Sequence, residues 1–124
     1  MHYSKAQPNG VLIILDDMIT SEKAINKKTN NLLKTVFYQG THYKVSLILT
    51  SQKLKDIPLG MRLNCTHLIC FISKSNKEEN GLFSENEYTD NISQLYKTAT
   101  SEKYNVLYIN KGLNKAYHNF EKEL

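Results

Sequence analysis

Arginine is almost missing from this sequence: of its 16 basic residues 15 are lysine, and Arg62 is the single arginine in 124 residues. Alanine is scarce too, at four residues, whereas 13 asparagines join the lysines, so that Lys and Asn fill 28 of the 124 positions. Lys, Asn and Ile codons are AT-rich, so the bias points to an AT-rich coding sequence and gives the one retained arginine added weight. Glycine is confined to five isolated positions, Gly10, Gly40, Gly60, Gly81 and Gly112, and none of them builds the G-x-x-x-x-G-K-[ST] loop that cradles phosphates. Apolar runs such as Val-Leu-Ile-Ile-Leu at 11–15 fall far short of the ~20 residues a membrane helix needs, so no membrane span is expected. Residues 1–10 lack the apolar middle of a secretory signal, and the two cysteines, Cys65 and Cys70, sit close together on what reads as one strand, so an intracellular, reducing compartment is expected.

What is present is enough for one globular domain, expected over 1–124. The chain is 40% hydrophobic and 23% charged, which excludes a disordered or fibrous protein, and no repeat, low-complexity tract or Pro/Gly-rich linker divides it. A net charge of +4 and a pI near 9.0 are compatible with a polyanionic partner but form a weak electrostatic signal.

Gln7-Pro8-Asn9-Gly10 reads as a turn into the aliphatic run 11–15, whose continuous apolarity predicts a central parallel strand buried on both faces. Thr20 or Ser21 can cap a helix in which Ile25, Leu32, Leu33, Val36 and Phe37 recur at helical spacing and which stops before Gly40. A second buried strand is expected at Val45 to Thr50, after a helical crossover, and a third at 67–72 beyond the Ile57-Pro58-Leu59-Gly60 break. The polar stretch 73–81 reads as an exposed loop, and 84–100 as a helix with Ile92, Leu95, Tyr96 and Ala99 on one face. Residues 104–120, broken at Lys111-Gly112, predict a terminal hairpin. Strands alternating with helices predict a three-layer α/β domain.

The chemistry is concentrated at two strand ends. Asp16 and Asp17 follow the first aliphatic run, at the carboxyl end of a parallel strand, where open α/β sheets place their ligands. In nucleoside triphosphatases such a pair forms the Walker B arrangement, in which the first acid holds Mg²⁺ and the second polarises the attacking water. The same pair can equally end a strand and solvate a turn. Leu49-Thr50-Ser51-Gln52 closes the next strand, and the Gln52 amide, both donor and acceptor, could reach a γ-phosphate or orient water.

Residues 11–17, 46–52, the Ile57-Pro58 turn and the segment Arg62-Leu63-Asn64-Cys65-Thr66-His67-Leu68-Ile69-Cys70-Phe71 together resemble the genome-packaging ATPases of the FtsK-HerA superfamily. The type they resemble most is that of poxviruses, other nucleocytoplasmic large DNA viruses and their virophages. Residues 96–120 are similar to that family's last helix and strands. The resemblance implies a RecA-like P-loop NTPase fold with a mostly parallel sheet, incomplete on its N-terminal side, and a C-terminal β-hairpin. It implies ATP and Mg²⁺ as cofactors, Asp16 as the Mg²⁺ acid, Asp17 as the catalytic carboxylate and Gln52 as the polar sensor. Arg62 falls where the family carries an arginine after the turn; its planar fork suits charge developing on a phosphoryl group, while a salt bridge or a DNA phosphate contact is the alternative. The implied partners are double-stranded DNA, further copies of the chain in a ring, and capsid or portal components, in the cytoplasm of an infected cell or in the virion.

Two departures from the family pattern stand out. Gly40-Thr41-His42 replaces a Gly-Arg-His that precedes the glutamine strand, and the phosphate loop, which lies upstream of Walker B in the family, is absent from these residues. The chain therefore reads as the C-terminal half of a DNA-packaging motor. The competing readings are a split or truncated, catalytically inactive assembly module and a DNA-pumping ATPase of conjugation or chromosome segregation. Other candidates are plainer. Cys65, His67 and Cys70 have poor zinc spacing and read as core residues, and Lys53 and Lys55 read as solvated lysines that could also touch a DNA backbone. The eight tyrosines show no RNP-like or stacking pattern, so sequence-specific nucleic-acid reading is not expected.

Overall fold

The computed structural model describes residues 9–17, 27–87 and 89–124, and the chain divides into two compact units, Met1–Arg62 and Leu63–Leu124. The first unit's sheet starts behind Gly10, whose φ of +84° is strained for any side chain and where a Cβ would stand 2.3 Å from the Lys44 carbonyl oxygen. That carbonyl accepts the Val11 N–H at 2.9 Å, so glycine is what lets the chain enter the ladder here. Strand β1 (Val11–Asp16), helix α1 (Lys27–Gln39), a 3₁₀ turn (Gly40–Tyr43) and strand β2 (Val45–Thr50) follow in order. The two strands pair in parallel, Val11 opposite Val45 through Asp16 opposite Thr50, and α1 packs on β2. Parallel pairing after a helical connection is as expected; the capping candidates Thr20 and Ser21 lie outside the described residues.

The expected burial of β1 on both faces does not hold. Leu12, Ile14 and Ile48 are 55%, 59% and 46% exposed, whereas Ile13, Leu15, Leu47 and Leu49 are half-buried. Among the described residues this sheet has two strands and one helix packed on it, too little to cover both faces. A 3₁₀ turn (Leu54–Asp56) and helix α2 (Leu59–Asn64) lead on from β2.

Among the described residues, the second unit holds most of the buried apolar side chains. Its strands β3 (His67–Cys70), β4 (Leu107–Asn110), β5 (Lys115–His118) and β6 (Lys122–Glu123) form one sheet in sequence order, antiparallel throughout, with helices α3 (Asn76–Glu85) and α4 (Ile92–Ala99) between β3 and β4. Residues alternate across the pleat: Cys70, Leu107, Ile109 and Ala116 are buried with Ile92, Tyr96 and Ala99 of α4, while His67 and Ile69 are exposed. The terminal hairpin and the apolar face of α4 are as expected. The third strand is not a member of a mostly parallel sheet: its hydrogen bonds run antiparallel to β4, His67 opposite Asn110. The described residues thus form an α/β chain with a small parallel sheet and a separate antiparallel one, and the expected three-layer sheet is not seen.

The expected loop at 73–81 is instead largely helix. Glu78 and Glu79 in the first turn of α3 complement the partial positive charge at its N-terminus, and Leu82 and Phe83 supply apolar contacts that the polar composition hid. The helix expected over 84–100 is interrupted, because Asn86 turns its Nδ2 back onto the Leu82 carbonyl at 2.7 Å and Asn91 takes a φ of +55°. Tyr96, 1% exposed, then ties α4 to the strand end: its hydroxyl donates to the Phe71 carbonyl at 3.0 Å and accepts the Ser73 N–H at 2.7 Å. Among the described residues no helix is long and apolar enough to cross a membrane.

Candidate functional site

In the first unit the carboxyl ends of β1 and β2 lie side by side because parallel strands in register end together. Asp16 and Thr50 are register partners, so their side chains rise from the same face, and the Thr50 hydroxyl donates to Asp16 Oδ1. One residue on, the backbone turns: Asp17 has a φ of +52°, a left-handed conformation that costs a non-glycine residue on the order of 1 kcal/mol and that Asp tolerates better than most. Its N–H is received by Thr50 twice, by the carbonyl at 3.3 Å and by Oγ1 at 3.0 Å. Its carboxylate Oδ2 accepts the Gln52 side-chain Nε2–H at 3.1 Å. Three of the sequence-predicted residues, Asp16, Asp17 and Gln52, are therefore in one hydrogen-bonded cluster, all exposed to solvent.

The turn at Asp17 answers a difficulty posed by the sequence. Adjacent residues on a strand point to opposite faces, so two neighbouring acids share a site only where the strand is ending. Each carboxylate commits one oxygen to the cluster and keeps the other, Asp16 Oδ2 and Asp17 Oδ1, outside these hydrogen bonds. Exposed hard-oxygen donors of this kind suit Mg²⁺, which takes one or two protein carboxylates and completes its shell with water and phosphate oxygens.

Arg62 stands apart from these hydrogen bonds. The half-buried guanidinium donates from Nη1 to the Leu54 carbonyl at 2.8 Å, across the 3₁₀ turn that follows Gln52. Lys53 and Lys55 are exposed just beyond Gln52. His42 and Tyr43 are exposed residues of the 3₁₀ turn before β2, outside the acidic cluster's hydrogen bonds.

Thr50 is the residue the sequence reading missed. In the sequence it is one more β-branched strand residue, and its bridging position follows from strand register, which no spacing within one segment reveals. Aromatic side chains of the second unit form a row on its sheet. Tyr108 and Tyr117 stack across β4 and β5 with ring centroids 5.4 Å apart, His67 stacks on Tyr108 at 5.9 Å and Phe120 leans on it at 5.1 Å. Hairpin pairing brings Tyr117 to Tyr108, and the pairing of β3 with β4 brings His67 to it from 41 positions away.

Among the described residues no three His, Cys, Asp or Glu side chains gather to hold a metal ion, so Cys65, His67 and Cys70 are not such a group. Cys70 is instead a core residue, 7% exposed, its thiol pushed up to about 12 chiefly by burial, with the neighbouring Cys65 adding and Lys111 opposing.

Beside this geometry stands a family match, to a family of poxvirus genome-packaging ATPases. Residues 1–119 match the family model of the Poxvirus A32 protein, and the chain belongs to that family. No curated protein and no solved structure matches the chain.

Proposed function

We propose that this chain carries the water-activating and Mg²⁺-holding acids of a motor ATPase that drives double-stranded DNA into a capsid. The observation that carries the reading is the cluster of Asp16, Asp17 and Gln52 at the carboxyl ends of two paired parallel strands, together with membership of the family. When bound, Mg²⁺ would neutralise charge on the phosphates of ATP, and Asp16 would hold it through Oδ2, the oxygen not taken up by Thr50. Asp17 orients and polarises the attacking water through Oδ1, while Gln52, fixed by its Nε2–H to Asp17, keeps its amide oxygen as an acceptor for that water or a donor partner. Arg62, steadied by the Leu54 carbonyl, is assigned to the phosphoryl charge of its own or a neighbouring subunit's nucleotide.

The phosphate loop that this arrangement requires is supplied, in this reading, by residues outside the 124, which makes the chain the Walker B half of a P-loop NTPase of FtsK-HerA type. The DNA partner fits the charge distribution. Residues 1–62 carry nine basic and four acidic side chains, a formal +5, whereas residues 63–124 carry seven and eight, a formal −1. The basic excess lies with the unit that holds the acids, and Lys53 and Lys55 are exposed beside Gln52 for a backbone contact. A homo-oligomeric ring engaging capsid or portal components, in infected-cell cytoplasm or in the virion, completes the proposal.

The test is DNA-dependent hydrolysis by the assembled motor that contains these residues. Turnover stimulated by double-stranded DNA and falling with rising salt is the expected result. An assembled motor that binds DNA without hydrolysing ATP would favour the assembly-module reading.

A further inference from the structure

Thr50 makes three hydrogen bonds to two consecutive acids, and its hydroxyl uses both its capacities in doing so. It gives its one proton to Asp16 Oδ1, and it accepts the Asp17 N–H at 3.0 Å while the Thr50 carbonyl shares that N–H at 3.3 Å. We propose that Thr50 is a positioning residue of the ATPase site, holding the Asp16 carboxylate in one rotamer and the Asp17 backbone in its left-handed turn, so that the two acids face a single nucleotide. The proposal rests on the ATPase reading above and adds to it the residue that divides the labour between the acids.

The physical need is specific. Asp16 and Asp17 are exposed, so packing does not select their rotamers, and an exposed carboxylate samples several orientations unless a hydrogen bond holds one. Taking up Asp16 Oδ1 leaves Oδ2 directed elsewhere, as the partners of metal-binding side chains commonly do. The αL turn at Asp17, which brings the second carboxylate to Gln52, is unfavourable on its own and is retained by the doubly accepted N–H. Parallel register gives Thr50 this reach, since it is the residue directly opposite Asp16.

Thr50→Val keeps the β-branched shape and strand propensity while removing the hydroxyl; Thr50→Ser restores the hydroxyl and removes the methyl. Two readouts are taken on the 124-residue chain: amide hydrogen exchange at Asp17, with Val11, whose N–H bonds the Lys44 carbonyl at the other end of the same ladder, as the internal control for strand pairing, and the affinity for Mn²⁺ as a probe of the acids. The same variants in the assembled motor give the split between kcat and KM. Thr50→Val is expected to speed exchange at Asp17 without affecting Val11, to weaken Mn²⁺ by about 10-fold or more, and to lower kcat together with a rise in KM for the Mg²⁺-nucleotide; Thr50→Ser should restore all of these. Unchanged Asp17 exchange in Thr50→Val, or a Thr50→Ser variant as impaired as Thr50→Val, overturns the proposal. A wild-type motor that does not hydrolyse ATP counts against the ATPase reading instead, and Asp17 exchange then still decides whether Thr50 holds the turn.

Discussion

Gln52 Nε2 donates to Asp17 Oδ2 across 3.1 Å, joining residues 35 positions apart in the chain. Neither residue is buried, so the contact owes nothing to core packing. It exists because β1 and β2 end level with each other and because Asp17 turns out of its strand at a φ of +52°. A carboxylate oriented by an amide in this way presents its second oxygen in a defined direction, which is what activation of a single water requires.

Removing the amide should therefore act on the chemical step. In the assembled motor Gln52→Ala is expected to lower kcat while leaving nucleotide affinity largely intact, whereas Asp16→Ala should weaken Mg²⁺-nucleotide binding as well. Steady-state kinetics beside equilibrium nucleotide binding measures the split. Equal loss of affinity in both variants would break the assignment of roles.

The 124-residue chain alone is expected to hydrolyse ATP poorly or not at all. No phosphate loop is encoded in it, and positioning of the phosphates supplies most of phosphoryl-transfer catalysis. Phosphate release from purified chain measures this directly. Robust turnover would reveal a phosphate site that the sequence does not announce.

Arg62 offers a sharper substitution test. A lysine can still reach the Leu54 carbonyl with one N–H, but its point charge does not reproduce the planar fork that the proposed phosphoryl contact calls for. Arg62→Lys is expected to be nearly as damaging to turnover as Arg62→Ala, by ~10³ if it serves as an arginine finger. Mixing Arg62→Ala with Asp17→Asn subunits should recover some activity if the residue acts on a neighbour's nucleotide. A fully active Arg62→Lys would reduce the residue to a structural or backbone-phosphate contact.

In the second unit the pH dependence has a definite sign. Burial raises the Cys70 thiol from 9.0 to about 12, so the folded state favours the protonated form; its contribution to stability is fully present below pH 9 and is lost as pH rises from 9 towards 12. Cys65, half-buried, should react with a thiol reagent at neutral pH well before Cys70. Alkylation followed by mass spectrometry distinguishes the two, and faster reaction at Cys70 would contradict the burial. Tyr96→Phe should destabilise the same unit by about 1–3 kcal/mol in denaturant unfolding, because the Phe71 carbonyl and the Ser73 N–H lose their shared partner.

Local chemistry made much of this legible from sequence. The aliphatic strand ending in two acids, the second strand leading to Gln52 and the C-terminal hairpin were all readable, since each depends on neighbours within one segment. What stayed hidden depends on partners distant in the chain. Thr50 owes its position to register, and the direction of β3 to its meeting with β4 after two helices. Helix α3 was masked for a different reason: Lys77, Glu78, Glu79 and Asn80 look like a loop until Leu82 and Phe83 anchor the last turn. Apolar content alone likewise overstated the burial of β1, because covering a strand's two faces takes layers that the described residues of this unit do not provide.

The central claim is that Asp17 activates the water attacking ATP, and Asp17→Asn in the assembled motor tests it most directly. Asparagine keeps the shape and can occupy the same turn, but it loses the charge that polarises water. Single-turnover hydrolysis together with nucleotide affinity is the measurement. The account predicts a loss of ~10² or more in the chemical rate with affinity within a few-fold of wild type. Hydrolysis by Asp17→Asn at the wild-type rate would contradict it.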